Sequence, residues 1–223
     1  MLAIMGAIAK HVFLVTDPES LEATLRTAFD VARTGRPGPV VVDIPKDVQN
    51  WVGDFVGSGV LPLQGYRNRL QDVLDNHISD DACARLFAML AESERPLIYA
   101  GGGVINGNAT KPMRHFASEY GIPVVTTLMA LGASDTKHPL SLHMLGMHGT
   151  ASANYAVEDC DFLIAIGARF DDRVAGDPEN FAPNAKHIAH FDVDVSEIGK
   201  VKRVDWHQVG VLSRDLHDLL AYG

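Results

Sequence analysis

Short runs of β-branched and aromatic residues alternate along this chain with stretches whose apolar positions recur every three to four residues, the pattern of strands feeding helices. His11 to Thr16 (HVFLVT) predicts a strand stopped by Asp17-Pro18. From Pro18 to Arg33 the apolar positions Leu21, Leu25, Ala28, Phe29 and Ala32 keep helical spacing, with proline in the first turn and Gly35 past the end, so an amphipathic helix is predicted. The unbroken apolar run Val40 to Ile44, ended by Pro45, predicts a strand buried on both faces. A single strand-helix-strand unit cannot hide a whole sheet, so residues 1–50 are expected to be the end of an α/β domain. Residues 51–79 are rich in Gly, Asp, Asn and Gln with no sustained period, and are expected to be a linker.

From Ser79 the alternation becomes regular. Ser79 predicts a helix cap, with Asp80 and Asp81 in the first turn and Ala82, Leu86, Met89 and Leu90 along the apolar face. Pro96 to Ala100 predicts a strand, followed by Gly101-Gly102-Gly103 and a helix with Met113, Phe116, Ala117 and Tyr120 on one side. Ile122 to Thr126, Asp161 to Ile166 and His187 to Phe191 predict further strands, and Thr150 to Val157 a helix. Ser213 is expected to cap a last helix with Leu216, Leu219 and Leu220 inward. The fold class expected for residues 80–223 is therefore α/β: a Rossmann-like, mostly parallel sheet with helices on both faces, preceded by the partial α/β domain.

Composition narrows what such a fold could serve. A formal charge of −9 and a pI near 5.5 exclude a phosphate-backbone binder, so no nucleic-acid partner is expected. Cys83 and Cys160 lie in apolar stretches without metal-ligand spacing, so they are expected to be buried thiols in a reducing compartment. No apolar run approaches the ~20 residues of a membrane helix, and the start carries no cationic flank before Lys10. A soluble, cytoplasmic protein that contacts no membrane is expected.

The chemistry-bearing residues gather where strands end. Three glycines between a strand and a helix favour nucleotide binding over a plain turn, because no Cβ obstructs a pyrophosphate. The fingerprint for NAD is incomplete: Asn106 stands where the third glycine would fall, and the following strand ends in Thr126-Thr127 rather than an acidic residue. Leu145 to Gly149 (LGMHG) places Met147 and His148 in a glycine-flanked loop. After the strand DFLIAIG, Arg169, Asp171, Asp172 and Arg173 crowd the edge at which open α/β sheets bind ligands, and Asp192 and Asp194 end the next strand. The ten histidines form no HxxxH or HExxH pair, and His187 and His190 merely alternate along a strand, so no metal site is expected. Neither a GxSxG elbow nor a Walker loop is present.

Taken in order, TGRPGPVVVDIPKDVQ at 34–49, the GGG loop, TTLMALG at 126–132, SLHMLGMHGTASANYAV at 141–157, GARFDDRVAG at 167–176 and HFDVDVSEIGK at 190–200 closely resemble the acetolactate synthase (acetohydroxyacid synthase) catalytic subunit, a thiamine-diphosphate enzyme family. GRPGPV is shared widely among such enzymes, whereas MLGMHG followed by RFDDRV is much more specific. The resemblance implies that residues 1–50 end a pyrimidine-binding domain and that 80–223 form a central FAD-binding domain. The family's activating Glu and its GDG motif have no counterpart here, so the chain is expected to be a fragment, inactive alone.

The resemblance further implies an FAD site lined by Arg36, Gly101, Gly102, Thr127, Leu128, Leu145, Gly146, Met147, His148, Gly167, Arg169, Asp171, Arg173, Asp192 and Val193, with FAD serving no net redox turnover. Arg173 matches the arginine that orients an acceptor's carboxylate, a task suited to a planar, permanently charged guanidinium. Met147, Asp172 and Lys46 match positions around the substrate channel. In the intact parent, thiamine diphosphate and Mg²⁺ would decarboxylate pyruvate and join the two-carbon unit to a second 2-keto acid, a step of branched-chain amino-acid biosynthesis. The parent would be a homo-oligomer, with a regulatory small subunit as a possible partner. Ser213-Arg214-Asp215 departs from the Gly-Asp usual before the last helix. Two alternatives stand beside this reading: a non-catalytic nucleotide-binding module derived from the family, and another thiamine-diphosphate enzyme such as glyoxylate carboligase.

Overall fold

The computed structural model of the protein describes residues 2–54, 59, 61 and 63–223. The chain divides into two compact units, residues 1–72 and 73–223. Among the described residues no helix is long and apolar enough to cross a membrane.

The first unit holds α1 (Leu2–Met5), β1 (His11–Leu14), a 3₁₀ turn (Pro18–Ser20), α2 (Leu21–Arg33), β2 (Val40–Asp43), α3 (Lys46–Gln49) and most of α4 (Gln64–Asp75). Asp17 opens the entry to α2 by accepting a hydrogen bond from the Glu19 N–H at 3.0 Å, with proline in the first turn where a missing N–H costs nothing. Strands β1 and β2 pair in parallel, His11 opposite Val40 and Leu14 opposite Asp43. A small core forms from Phe13, Ala28 and Val31, with Val40, Val42, Leu61, Leu63 and Tyr66 packed around it.

Three expectations for this region change. Strand β2 is only half-buried at each position rather than covered on both faces, because a two-stranded sheet offers too little surface to be enclosed. The buried side of α2 is Thr24, Thr27, Ala28 and Val31, whereas Leu25 and Phe29, part of the apolar series, are exposed, Phe29 by 69%. Threonine can turn inward because its hydroxyl is satisfied locally: Thr24 Oγ1 donates to the Ser20 carbonyl at 2.8 Å, and Thr27 Oγ1 donates to the Ala23 carbonyl at 2.7 Å. Finally, the stretch expected to be an irregular linker contains α4, on which Tyr66, Leu70 and Val73 are half-buried at helical spacing. Positions 55–58, 60 and 62 of that stretch lie outside the described residues.

The second unit is built around a six-stranded sheet. Its elements are α5 (Asp80–Glu92), β3 (Pro96–Ala100), α6 (Gly102–Asn106), α7 (Thr110–Glu119), β4 (Val124–Thr126), β5 (Ser141–Met144), α8 (Ala151–Asp159), β6 (Phe162–Ile166), β7 (His187–Asp192), β8 (Trp206–Val209) and α9 (Leu212–Tyr222). The strand order is β5-β4-β3-β6-β7-β8, and every pairing is parallel. A parallel sheet needs cover on both sides. Strand β6 is buried at all five positions, so neither of its faces meets water. Ile98, Ala100, Ile164 and Phe191 point to one layer with α5, α7 and α9; Leu97, Tyr99, Leu163 and Ala165 point to the other with α8 and the chain between 168 and 185. This is the α/β, helix-flanked parallel architecture that the alternation of elements predicts.

Ser79 caps α5 as expected, accepting from the Ala82 N–H at 3.2 Å. At the entry to β6, the Asp161 carboxylate accepts from Ser93 Oγ at 2.5 Å, the Glu94 N–H at 3.0 Å and the Arg95 N–H at 3.0 Å. Burial pushes this carboxyl upward, but the three hydrogen bonds outweigh it and hold the group at about 2. Ser213 does not cap the last helix: α9 begins at Leu212 behind Val211, two residues earlier than a Ser213 cap implies, because Leu212 is drawn into the core. Edge strands β5 and β8 escape the apolar-run criterion, since polar residues interrupt both SLHM and WHQV.

Strand β5 also carries a strained residue. His143 takes φ of 67° beside a register shift against β4, a bulge that redirects the chain just before the LGMHG loop. A left-handed conformation costs an L-residue ~1–2 kcal/mol, partly offset by the extra entropy glycine loses on folding. His143→Gly is therefore expected to stabilise the fold by about 0.5–1 kcal/mol. Thermal melts of the two chains test this; a lower melting temperature for the glycine variant would show that the imidazole contributes packing that outweighs the strain.

Candidate functional site

Because all six strands run the same way, their C-terminal ends meet at one rim. The order reverses at β3: the chain moves outward to β4 and β5, then returns to place β6 on the other side of β3. Loops that leave β3 and β6 thus depart in opposite directions, the topology with which open α/β sheets form a ligand crevice.

Where these loops leave the sheet, glycine lies against glycine. Gly101 N–H donates to the Ile166 carbonyl and Gly103 N–H to the Gly167 carbonyl, each at 2.9 Å. A Cβ on Gly101 would run into the Gly167 carbonyl oxygen and sit 2.4 Å from Ala168 Cα, and one on Gly103 would sit 2.7 Å from Gly167 Cα. This revises the reason expected for the triple glycine. The space freed at 101 and 103 is taken by the chain at 167–168, so these glycines serve the seam between two loops; Gly102 instead looks toward Met129, whose Cβ would lie 3.0 Å from its added carbon.

Around this seam stand the candidates of the second unit. Thr127 follows β4 and donates its N–H to the Ala100 carbonyl at 2.9 Å. Leu128 and Met129, on a 3₁₀ turn, are exposed. Leu145 is buried, while Met147, 71% exposed, and His148 stand out on the loop after β5. That loop is fixed by Asn154 of α8, whose Oδ1 accepts from the Gly146 N–H at 2.8 Å and whose Nδ2 donates to the Gly146 carbonyl at 3.1 Å. Gly146 has φ of 93°, and a Cβ there would lie 3.0 Å from the Arg173 carbonyl oxygen, so the loops after β5 and β6 are in contact.

After β6, Gly167 turns the chain with φ of 55°. Arg169 is exposed and its Nη2 donates to Asp171 Oδ2 at 3.4 Å; Asp171 Oδ1 is buried and has no hydrogen-bond partner. Asp172 and Arg173 are exposed and form a loose ion pair at 3.9 Å, which water and salt screen almost completely. Asp192 ends β7 with its Oδ1 accepting from the Asp194 N–H at 2.9 Å, and Val193 follows, half-buried. Among the described residues no group of three or more His, Cys, Asp and Glu is gathered as a metal ion would require.

Arg36 and Lys46 belong to the first unit. Lys46 begins α3. Arg36 sits in the turn that ends α2, where Gly35 has φ of 59° and Lys10 Nζ donates to the Thr34 carbonyl at 2.5 Å and to the Arg36 carbonyl at 2.9 Å. Lys10 thereby satisfies orphan carbonyls at a helix C-terminus. It was not among the residues singled out by sequence, and neither was Asn154; both fix backbone instead of presenting a reactive group, so no motif announces them.

The chain matches the family "Thiamine pyrophosphate enzyme, central domain" over residues 83–219. It belongs to that family. The matched span runs from α5 into α9 and takes in all six strands of the second unit, together with every loop of the rim. Individual relatives agree with one another in name. The chain is 49% identical over 214 residues, 96% of its own length, to the acetolactate synthase large subunit of Corynebacterium glutamicum. It is 46% identical over 213 residues, 94% of its length, to the acetolactate synthase large subunit of Parasynechococcus marenigrum. It is 45% identical over 203 residues, 91% of its length, to acetolactate synthase 2, chloroplastic, of Nicotiana tabacum. These alignments take in 32%, 33% and 30% of the respective relatives, so the chain spans about a third of their length.

Proposed function

We propose that this central domain holds FAD at the rim of its sheet and serves an acetolactate synthase catalytic subunit. The observation that carries the reading is the contact between the MLGMHG loop and the RFDDRV loop that leaves the switch point of the sheet, in a chain whose named relatives are acetolactate synthases. The residues suit a flavin dinucleotide. Arg169 offers a cation to the diphosphate, the unpartnered Asp171 Oδ1 an acceptor for a sugar hydroxyl, and Leu128 and Met147 exposed apolar surface for a ring system. Gly101, Gly102, Thr127, Leu145, Gly146, His148, Gly167, Asp192 and Val193 complete the lining.

In the parent enzyme, thiamine diphosphate with Mg²⁺ would supply the decarboxylating and carbon-joining chemistry on 2-keto acids. This chain's part is positioning and electrostatics. Arg173 orients the acceptor carboxylate through its guanidinium, and Met147 and Asp172 shape the channel. Homo-oligomerisation, a regulatory small subunit and a cytoplasmic setting belong to the same proposal.

The test is a titration of FAD into the chain, followed by flavin fluorescence. Saturable binding is expected, not displaced by NAD. Arg169→Ala should weaken it about tenfold or more, the loss of a charge-assisted contact. A folded chain that takes up no FAD, or binds equally well without Arg169, would remove the reading.

A further inference from the structure

We propose that Tyr99 and His190 are positioning residues that grip the loop after β6 from beneath and so set the direction in which Arg169 and Asp171 face the cofactor. The inference rests on the cofactor reading above for what the loop faces, and on geometry alone for how the loop is held.

Tyr99 lies on β3 and His190 on β7, the two strands that flank β6. In register, Tyr99 stands opposite Ala165, and Ala165 opposite His190. The three residues therefore form one row across the middle of the sheet, with a large polar side chain at each end and a methyl group between them. The short alanine leaves room for a ring, and the loop fills it: Phe170 packs 5.5 Å from Tyr99 and 5.4 Å from His190, edge to face.

With Phe170 as the inward anchor, two successive carbonyls of the loop come within reach of the row. Tyr99 Oη donates to the Arg169 carbonyl at 2.6 Å, and His190 Nε2 lies 2.9 Å from the Ala168 carbonyl oxygen. A carbonyl can only accept, so Nε2 carries the hydrogen. Both side chains are fully buried, where an unpaired polar group is costly, so each contact resists release. His190 Nδ1 has no hydrogen-bond partner, and Asp192 Oδ2 is 3.7 Å from Nε2, too far to compete with the carbonyl. Burial also raises the Tyr99 phenol above its ordinary value, so the donor keeps its proton. Between the exposed Arg169 and the half-buried Asp171 the chain thus turns inward at Phe170, and the inward residue and the carbonyls on its N-terminal side are all fixed.

Hydrogen exchange of the ligand-free chain reads the grip directly. The amides of Val174 and Ala175 donate to the Asp171 carbonyl at 3.1 and 2.8 Å, and that of Gly176 to the Asp172 carbonyl at 3.2 Å, so they report whether the loop stays in place. Tyr99→Phe, which keeps the ring, and His190→Leu should each accelerate exchange at 174–176 about tenfold while amides inside β6 hold their rate. His190→Gln, which restores an N–H donor, should return exchange close to wild type. In parallel, the Kd for FAD should rise about tenfold in the first two variants and not in the third. Equal acceleration at 174–176 and inside β6, or no recovery in His190→Gln, would reduce both residues to ordinary core and overturn the proposal. If the unaltered chain takes up no FAD, the cofactor reading falls, and the exchange comparison still decides whether the loop is gripped.

Discussion

Gly101→Ala is expected to cost the fold about 3 kcal/mol or more, a large share of the stability of an ordinary domain. The added methyl would meet backbone, not a yielding side chain tip: the Gly167 carbonyl oxygen, Ala168 Cα at 2.4 Å and Ala168 Cβ at 2.7 Å. To make room, β3 and β6 would have to part at their C-terminal ends, and these are the central pair of the sheet, in register over Pro96 to Ala100. Gly101 has φ of −106°, which any residue tolerates, so the demand is for space and not for an unusual conformation. Gly121 supplies the contrast. It has φ of 65° and nothing within 4 Å of its added carbon, so Gly121→Ala should cost only ~1–2 kcal/mol of backbone strain. Urea unfolding of the two variants checks the ordering; a Gly101→Ala chain as stable as Gly121→Ala would mean that the seam opens freely.

Asp215→Asn is expected to stabilise the fold above neutral pH by up to about 4 kcal/mol. Asp215 is fully buried in the first turn of α9. Gln208 Nε2 reaches its Oδ1 at 3.4 Å, and Oδ2 has no partner. Burial drives its pKa from 3.8 up to about 7, assisted by Asp218 and opposed by Arg214, Gln208 and His77. Arg214 does not pair with it directly: its Nη1 donates to the Leu74 carbonyl and its Nη2 to the Asn76 carbonyl at 2.8 Å. A carboxyl that binds its proton more tightly when folded contributes its full stabilisation below its unfolded pKa. That contribution is lost as pH rises from about 3.8 through about 7. Wild-type stability should therefore decline across this window, and the asparagine variant should lack the decline. Chemical denaturation at a series of pH values measures it; parallel curves for the two chains would show that Asp215 keeps its charge at no cost.

Much of the second unit can be read from the chain because its central strands are buried on both faces. PLIYA and FLIAI are runs with no charged position, and the Ser79 and Thr150 caps announce α5 and α8. The edges are harder, since β5 and β8 each face a neighbour on one side only and keep polar letters. Helix α4 hides its period of Tyr66, Leu70 and Val73 among Gln, Asn and Arg, although the spacing is there. The site divides the same way. Motifs at strand ends mark where the rim lies, because a parallel topology must bring those ends together. How the rim is held stays invisible, since Tyr99 and His190 act through a register between strands that no local pattern records. The triple glycine shows the same limit: a sequence shows that a Cβ is missing, but not which neighbour needs the room.

Placing the first-made strand in the middle of the sheet has a kinetic consequence. During synthesis β3 emerges well before β6, with β4, β5 and α8 between them, so one edge of the central strand must wait unpaired while its apolar residues are already available. Such long-range parallel pairing is slow to close. Until FLIAI arrives, the nascent half-sheet displays an adhesive border of the kind that chaperones shield and that captures a second nascent copy when protein is made too fast.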